Sequence, residues 1–327
     1  MSDMHLIDDI RAKDILKEPI RDGFGRGILE AGKRNEDIVV VCADLLESAR
    51  LTAFSEAFPE RFIETGIAEQ NIVTVGSGLA AVGKIPFVGS YAAFCPGRTW
   101  EQIRTTICLN DQPVKIMGSY AGAYTSPDGA THQAFEDIAL MRVLPNMVVL
   151  VPCDSVEAEK MVHAMVADKR PNYIRMTRAG SPVITTDKTP FEIGKAYVFR
   201  EGSDITLIAT GTMTYQVLVA ADMLAKDGIH AEVVHVPTVK PLDEQTILTS
   251  VKKTGAVVVA EEGQIAGGLG GAVAELLGEH FPVPMKRIGV QDRFGESAPT
   301  AEELLKHLGL DAVHIALAAH TIIERKH

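Results

Sequence analysis

The segment Ile38-Val39-Val40-Val41-Cys42, with Arg61-Phe62-Ile63 and the glycine- and alanine-rich run 69–82 behind it, decides the fold. Five apolar residues in a row, four of them β-branched, read as a strand buried in a sheet rather than as one face of a surface element. The run 69–82 then changes to small residues at helical spacing, and 85–88 changes back to strand. Outward from there, 114–117, 148–151 and 173–176 read as further strands, with helices at 99–109, 136–143 and 155–167 between them. This repeated change of period is the pattern of a mostly parallel α/β sheet. A polar, proline-flanked stretch from Gly180-Ser181-Pro182 to Thr189-Pro190 reads as a linker, giving units at 1–185 and 190–327. Beyond it the alternation restarts, with strands at 205–209, 231–236 and 256–260 and helices at 215–226 and 270–277. The expected architecture is two α/β domains, the second smaller.

Composition narrows the function. At 327 residues, 46% hydrophobic and 23% charged, the chain has the make-up of a folded globular protein. Its net charge of -11, with no local run of Lys or Arg, argues against binding to nucleic acid or to an anionic membrane. Cys42, Cys95, Cys108 and Cys153 lie far apart without metal-ligand spacing, which suggests a reduced compartment. The first 14 residues carry no apolar signal core and no apolar run reaches bilayer length, so a cytoplasmic location is expected.

Several motifs invite a chemical reading. Gly76-Ser77-Gly78, with Ala81, formally matches a dinucleotide fingerprint. It lies inside a helical pattern rather than between strand and helix, so close helix packing is the preferred reading. Gly267-Gly268-Leu269-Gly270-Gly271 precedes a helix but lacks the Lys-Ser/Thr of a phosphate loop, and a plain turn is preferred. Gly66-Ile67-Ala68-Glu69-Gln70-Asn71 places a carboxylate at the mouth of a helix. Two readings of Glu69 stay open: complementing the helix dipole, or a desolvated acid that shares a proton with a ligand nitrogen. Tyr91 and Phe94, three apart after a strand, suit either a core or a stacking face for a planar heterocycle. Asp128 and His132 share the loop Ser126-Pro127-Asp128-Gly129-Ala130-Thr131-His132-Gln133, where the His is a structural hydrogen-bonder or a proton carrier. Together these groups fall at the ends of successive βα units, the edge at which open α/β sheets bind ligands.

Taken in order, these segments resemble the pyrimidine-binding domain of thiamine-diphosphate enzymes, and above all the C-terminal half of transketolases. Further anchors are Arg21-Asp22-Gly23-Phe24-Gly25, Ala43-Asp44-Leu45, Leu144-Pro145-Asn146-Met147, Pro152-Cys153-Asp154, Lys240-Pro241-Leu242-Asp243 and Asp292-Arg293-Phe294-Gly295-Glu296-Ser297. The resemblance implies ketol transfer, in which a two-carbon unit passes from a ketose phosphate to an aldose. Under it, Glu69 hydrogen-bonds N1′ of the aminopyrimidine of thiamine diphosphate, Tyr91 and Phe94 flank that ring, and Asp44 lies near the cofactor and substrate channel. His132 contacts the donor's oxygens and moves protons, Asp128 reads the C2 hydroxyl of the aldehyde, and Arg21, Ser48 and Arg178 hold the sugar phosphate.

Three positions depart from the family pattern. Tyr120 stands where phosphate-specific members often have His, Ser126-Pro127 replaces a Gly-Glu pair, and no third aromatic stands near Gly97. The Gly-Asp-Gly motif that holds the divalent metal, Mg2+ or another, and the diphosphate occurs nowhere in the chain. The resemblance therefore implies a partner chain, an N-terminal transketolase subunit carrying that half, and a two-fold assembly with two copies of each subunit. The 2-oxo acid dehydrogenase β subunit, a deoxyxylulose-phosphate synthase fragment and a non-catalytic binding subunit remain alternatives. No catalytic cluster follows Arg178, and assembly is the role expected for the second unit.

Overall fold

The computed structural model describes residues 4–326, so positions 1–3 and 327 of the two expected units lie outside the described residues. In chain order the strands are β1 (Lys17–Pro19), β2 (Ile38–Cys42), β3 (Phe62–Glu64), β4 (Ile85–Tyr91), β5 (Lys115–Ser119), β6 (Val148–Leu150) and β7 (Asn172–Arg175). They continue as β8 (Gly180–Pro182), β9 (Tyr197–Arg200), β10 (Ile205–Ala209), β11 (Ala231–His235), β12 (Thr238–Lys240), β13 (Val257–Gln264) and β14 (Met285–Val290). Among the described residues, one sheet has seven strands in the order β12-β6-β7-β5-β4-β2-β3, and a second has five in the order β14-β13-β10-β11-β9. β12 and β9 run antiparallel at their edges and the remaining pairings in both sheets are parallel. β1 and β8 form a separate antiparallel pair. All five residues of β2 are buried, as an interior strand covered on both faces requires.

The helices are α1 (Ile20–Arg34), α2 (Thr52–Ala57), α3 (Glu69–Ala81), α4 (Trp100–Gln102), α5 (Asp137–Arg142), α6 (Ser155–Ala167), α7 (Met213–Lys226), α8 (Glu244–Thr254), α9 (Leu269–His280), α10 (Ala301–Leu308) and α11 (Ala312–Glu324). α1 crosses α6 so closely that a Cβ on Gly23 would sit 1.8 Å from the Ser155 carbonyl oxygen. Gly76 is required for the same reason, since a Cβ there would lie 2.4 Å from Val88 Cγ1. The glycine thus serves close packing inside α3, and no strand-to-helix turn surrounds it. The helix expected at 99–109 changes winding: after α4, Ile103–Cys108 forms a π-helical turn. There the hydroxyls of Thr105 and Thr106 donate to the carbonyls four residues back, at 2.9 and 2.7 Å.

The polar stretch read as a linker is held in place rather than loose. Val183, Ile184 and Thr185 are buried. The carboxylate of Asp154 accepts from the N–H groups of Ile184 and Thr185 at 2.8 and 2.7 Å. Lys160 donates to the carbonyls of Thr186 and Thr189. The chain also crosses back. β12, a Thr-Val-Lys segment with no apolar run to mark it in the sequence, leaves the second unit and pairs with β6 of the first sheet.

Two buried polar clusters join the units. Arg175 meets Asp137 at 3.0 Å and Glu262 at 3.5 Å, while Tyr173 and Thr212 donate to those carboxylates at 2.6 Å each. Cys153, Glu157 and His235 also converge in the interior. There both ring nitrogens of His235 are engaged, by Thr214 at 2.8 Å and by Glu157 at 3.0 Å, which makes the cluster a hydrogen-bonded clamp. All four cysteines are buried and free. Among the described residues no helix is long and apolar enough to cross a membrane.

Candidate active site

The carboxyl ends of β2, β4, β5 and β7 open on one edge of the seven-stranded sheet. Chain order reverses direction about β2, with β3 on one side and β4 on the other, a topology that leaves a crevice for ligands at that edge. Ser48 follows β2, Tyr91 ends β4, Tyr120 follows β5 and Arg178 follows β7. Tyr120 is forced into the left-handed region at φ 58°, a strain of about 1–3 kcal/mol of the kind found where function fixes the backbone.

Ser48, Tyr91, Tyr120, Asp128, His132 and Arg178 line one cavity of about 370 Å³. Arg178 Nη1 pairs with Asp128 Oδ1 at 2.6 Å. Arg21 stands behind the wall and donates from Nη1 to the Ser48 carbonyl at 2.8 Å and to the Tyr120 hydroxyl at 2.7 Å. Both partners are neutral, and among the described residues Arg21 makes no ion pair, so its charge is available to an anion. The Tyr120 ring is flanked by the two guanidiniums, at 5.0 Å from Arg21 and 5.4 Å from Arg178. Tyr91 donates weakly to Ser48 Oγ at 3.3 Å, and burial pushes its phenol up. The Thr131 hydroxyl engages His132 Nδ1 at 2.9 Å, leaving Nε2 for a ligand.

A second cavity of about 260 Å³ adjoins the start of α3 and is lined by residues 67–71 and Arg98. Glu69 is only 4% exposed, more deeply buried than complementing the helix dipole requires. Its Oε2 accepts from Arg98 Nη1 at 2.9 Å, and the same guanidinium lies 5.0 Å from the centre of the Phe94 ring. Phe94 links the two cavities, with ring centres 6.3 Å from Tyr91 and 5.6 Å from His132.

The fold thus gathers eight of the nine site residues read from sequence. Asp44 is the exception. It is exposed, its backbone N–H donates to Glu64 at 2.9 Å, and it lines neither cavity. Two residues escaped the sequence reading. Tyr120 registered only as a departure, and Arg98 carried no motif of its own. No aromatic can stand at 97, where a Cβ would lie 2.1 Å from the Ala93 carbonyl oxygen.

The chain matches the family description "Transketolase, pyrimidine binding domain" over residues 18–182 and "Transketolase, C-terminal domain" over 194–315. It is 42% identical over 307 residues to the 6-deoxy-6-sulfo-D-fructose transketolase subunit of Clostridium sp. (strain MSTE9), covering 94% of this chain and 95% of that protein. A subunit of the apulose-4-phosphate transketolase of Phocaeicola vulgatus is 36% identical over 306 residues, covering 93% and 97%. Among solved structures, a split-gene transketolase described as an inactive β4 tetramer superposes with a TM-score of 0.88 at 44% identity, covering 94% of this chain and 99% of that one. The chain belongs to the transketolase family of thiamine-diphosphate-dependent transferases, as one subunit of the split form.

Proposed function

We propose that this chain, together with a partner that carries the diphosphate-binding half, transfers a two-carbon ketol unit from a ketose phosphate to an aldose acceptor. One observation carries the reading: a nearly buried carboxylate, Glu69, is bridged by Arg98 to an aromatic ring, Phe94, next to a cavity lined by an acid, a histidine and an arginine, with Arg21 behind its wall. The pyrimidine end of thiamine diphosphate fits this chain, because a desolvated acid beside an aromatic face suits a flat ring bearing a basic nitrogen. The diphosphate end does not: no Gly-Asp-Gly occurs in the sequence, so the divalent cation and diphosphate are assigned to the partner.

When bound, the cofactor supplies an acidic ring carbon and an electron sink for carbon–carbon cleavage. The chain's own residues do the rest. Glu69 holds a proton against the pyrimidine nitrogen, and its burial strengthens that hydrogen bond. Phe94 and Tyr91 set the ring's plane. His132, held through Nδ1 by Thr131, offers Nε2 to the donor's oxygens and moves protons as bonds to carbon change. Asp128 accepts from the acceptor's C2 hydroxyl, while Arg21, Ser48 and Arg178 bind the anionic end of the sugar. Asp44, outside both cavities, is assigned to the substrate channel that the partner completes. The two relatives named above are described by different sugars, so this chain's own preference is assigned to the anion-binding rim, where Tyr120 and the two arginines stand.

The reading extends to assembly and place. A domain boundary between 185 and 190, two copies each of this chain and its partner around a two-fold axis, and a cytoplasmic location complete it. That a related split-gene chain is described as an inactive β4 tetramer supports the need for a partner. The test is reconstitution: ketol transfer is expected only when this chain is mixed with a polypeptide carrying Gly-Asp-Gly, thiamine diphosphate and Mg2+. Turnover by this chain alone would overturn the division of labour.

A further inference from the structure

We propose that Arg98 plugs the pyrimidine pocket of the chain on its own, its guanidinium holding the place of the aminopyrimidine and leaving Glu69 when that ring binds. The inference rests on the functional reading above and adds a residue that no sequence motif marks.

Two contacts define the plug. Arg98 Nη1 donates to Glu69 Oε2 at 2.9 Å, and Arg98 Cζ lies 5.0 Å from the centre of the Phe94 ring. A flat, N–H-donating group set over an aromatic ring and paired with a carboxylate satisfies the same two surfaces that an aminopyrimidine needs. The local fold enforces the placement. The turn 94–97 closes tightly enough that a Cβ at Gly97 would lie 2.1 Å from the Ala93 carbonyl oxygen, and the Arg98 N–H returns to the Phe94 carbonyl at 2.9 Å. The arginine is thereby carried back over the ring four residues before it.

The two partners differ in freedom. Glu69 is buried, whereas the Arg98 side chain is 52% exposed, so the acid stays fixed and the base swings out to water. A buried carboxylate left without a donor is costly, and Arg98 meets that need until a ligand does. The consequence is a lower apparent affinity for pyrimidine ligands in the lone chain, in proportion to the fraction of time the pocket is open.

Thiamine, which lacks the diphosphate and needs no partner, is the probe. Trp100, the sole tryptophan and two residues past Arg98, reports binding by fluorescence, with calorimetry as the second readout. R98A and R98M, the latter keeping the aliphatic stem, are expected to bind thiamine about five- to tenfold more tightly than the wild-type chain. That gain is expected to vanish in the E69Q background. Equal or weaker binding by folded R98A and R98M overturns the plug. If E69Q alone then loses thiamine, the plug is wrong while the pocket assignment stands; absence of binding in every variant overturns both.

Discussion

Arg178 and Asp128 meet at 2.6 Å on the wall of the larger cavity, so under the proposed function an anionic sugar would compete with an internal carboxylate for the same guanidinium. Arg21 is not so engaged. Its donors go to a carbonyl and a phenol, and its buried Nε has no partner, which makes it the more available cation. Replacing Arg178 with Gln removes one charge-assisted contact. In the reconstituted enzyme the KM for a phosphorylated sugar is expected to rise about tenfold, with the KM for a short uncharged aldehyde within about twofold. Equal loss for both substrates would place Arg178 outside the anion site. At this scale, Glu69 was legible because a carboxylate opening a helix just after a strand is a local pattern. Tyr120 was not: its setting between two guanidiniums depends on α1 and the end of β7 arriving beside β5, which no window of sequence contains. Arg98 was hidden likewise, since only the closed turn after Phe94 brings it to Glu69.

The glycine run before α9 shows what sequence says about an element and what it leaves out. Gly267 and Gly268 make the expected turn, Leu269, Gly270 and Gly271 already open the helix, and the anion at that helix start belongs to the chain itself. Glu261 accepts from the N–H groups of Leu269 and Gly270, at 2.8 Å each. Burial raises its carboxyl to about 7, against the lowering effect of those two N–H donors. Between pH 4.5 and 7 the folded chain then keeps a proton that the unfolded chain has released. This group's contribution to stability therefore falls as pH rises through that window and is flat above it. In urea unfolding, the wild-type chain is expected to lose about 2 kcal/mol relative to E261Q between pH 5 and pH 7. The same pH response in both chains would contradict the assignment. α3, α6 and β10 were legible because each shows its period or a largely apolar run, whereas α1 and α11, at 15 and 13 residues, were not read from sequence. β8 (Gly-Ser-Pro) and β12 (Thr-Val-Lys) lack the apolar run that made the equally short β3 and β6 legible, and the change to π-helical winding at Ile103–Cys108 is not encoded in hydrophobic periodicity.

Across the whole molecule, the two units are coupled more tightly than a polar linker suggested. Arg175, on β7, lies between Asp137 and Glu262, all three buried, so the second sheet supplies part of the charge balance of the first. R175M leaves two buried carboxylates without their cation and is expected to lower unfolding stability by about 3–5 kcal/mol, read by urea denaturation. A loss below about 1 kcal/mol would mean that the cluster does not hold the units together. The segment after β14 also reaches the loop at 126–133, where Gln133 Nε2 donates to the Glu296 carbonyl at 2.9 Å and the Ala298 N–H to the Ser126 carbonyl at 3.0 Å. The second unit thus supports the loop bearing Asp128 and His132, although the sequence after Arg178 holds no catalytic cluster to suggest it. The central claim is that Glu69 serves ketol transfer in an assembly this chain shares with a partner. Its most direct test is the rate of ketol transfer by E69Q reconstituted with that partner, thiamine diphosphate and Mg2+, with assembly checked by sedimentation. The expected result is an intact assembly whose rate falls by at least about a hundredfold, in line with loss of a proton-transferring group; an intact assembly turning over at near wild-type rate would contradict the account.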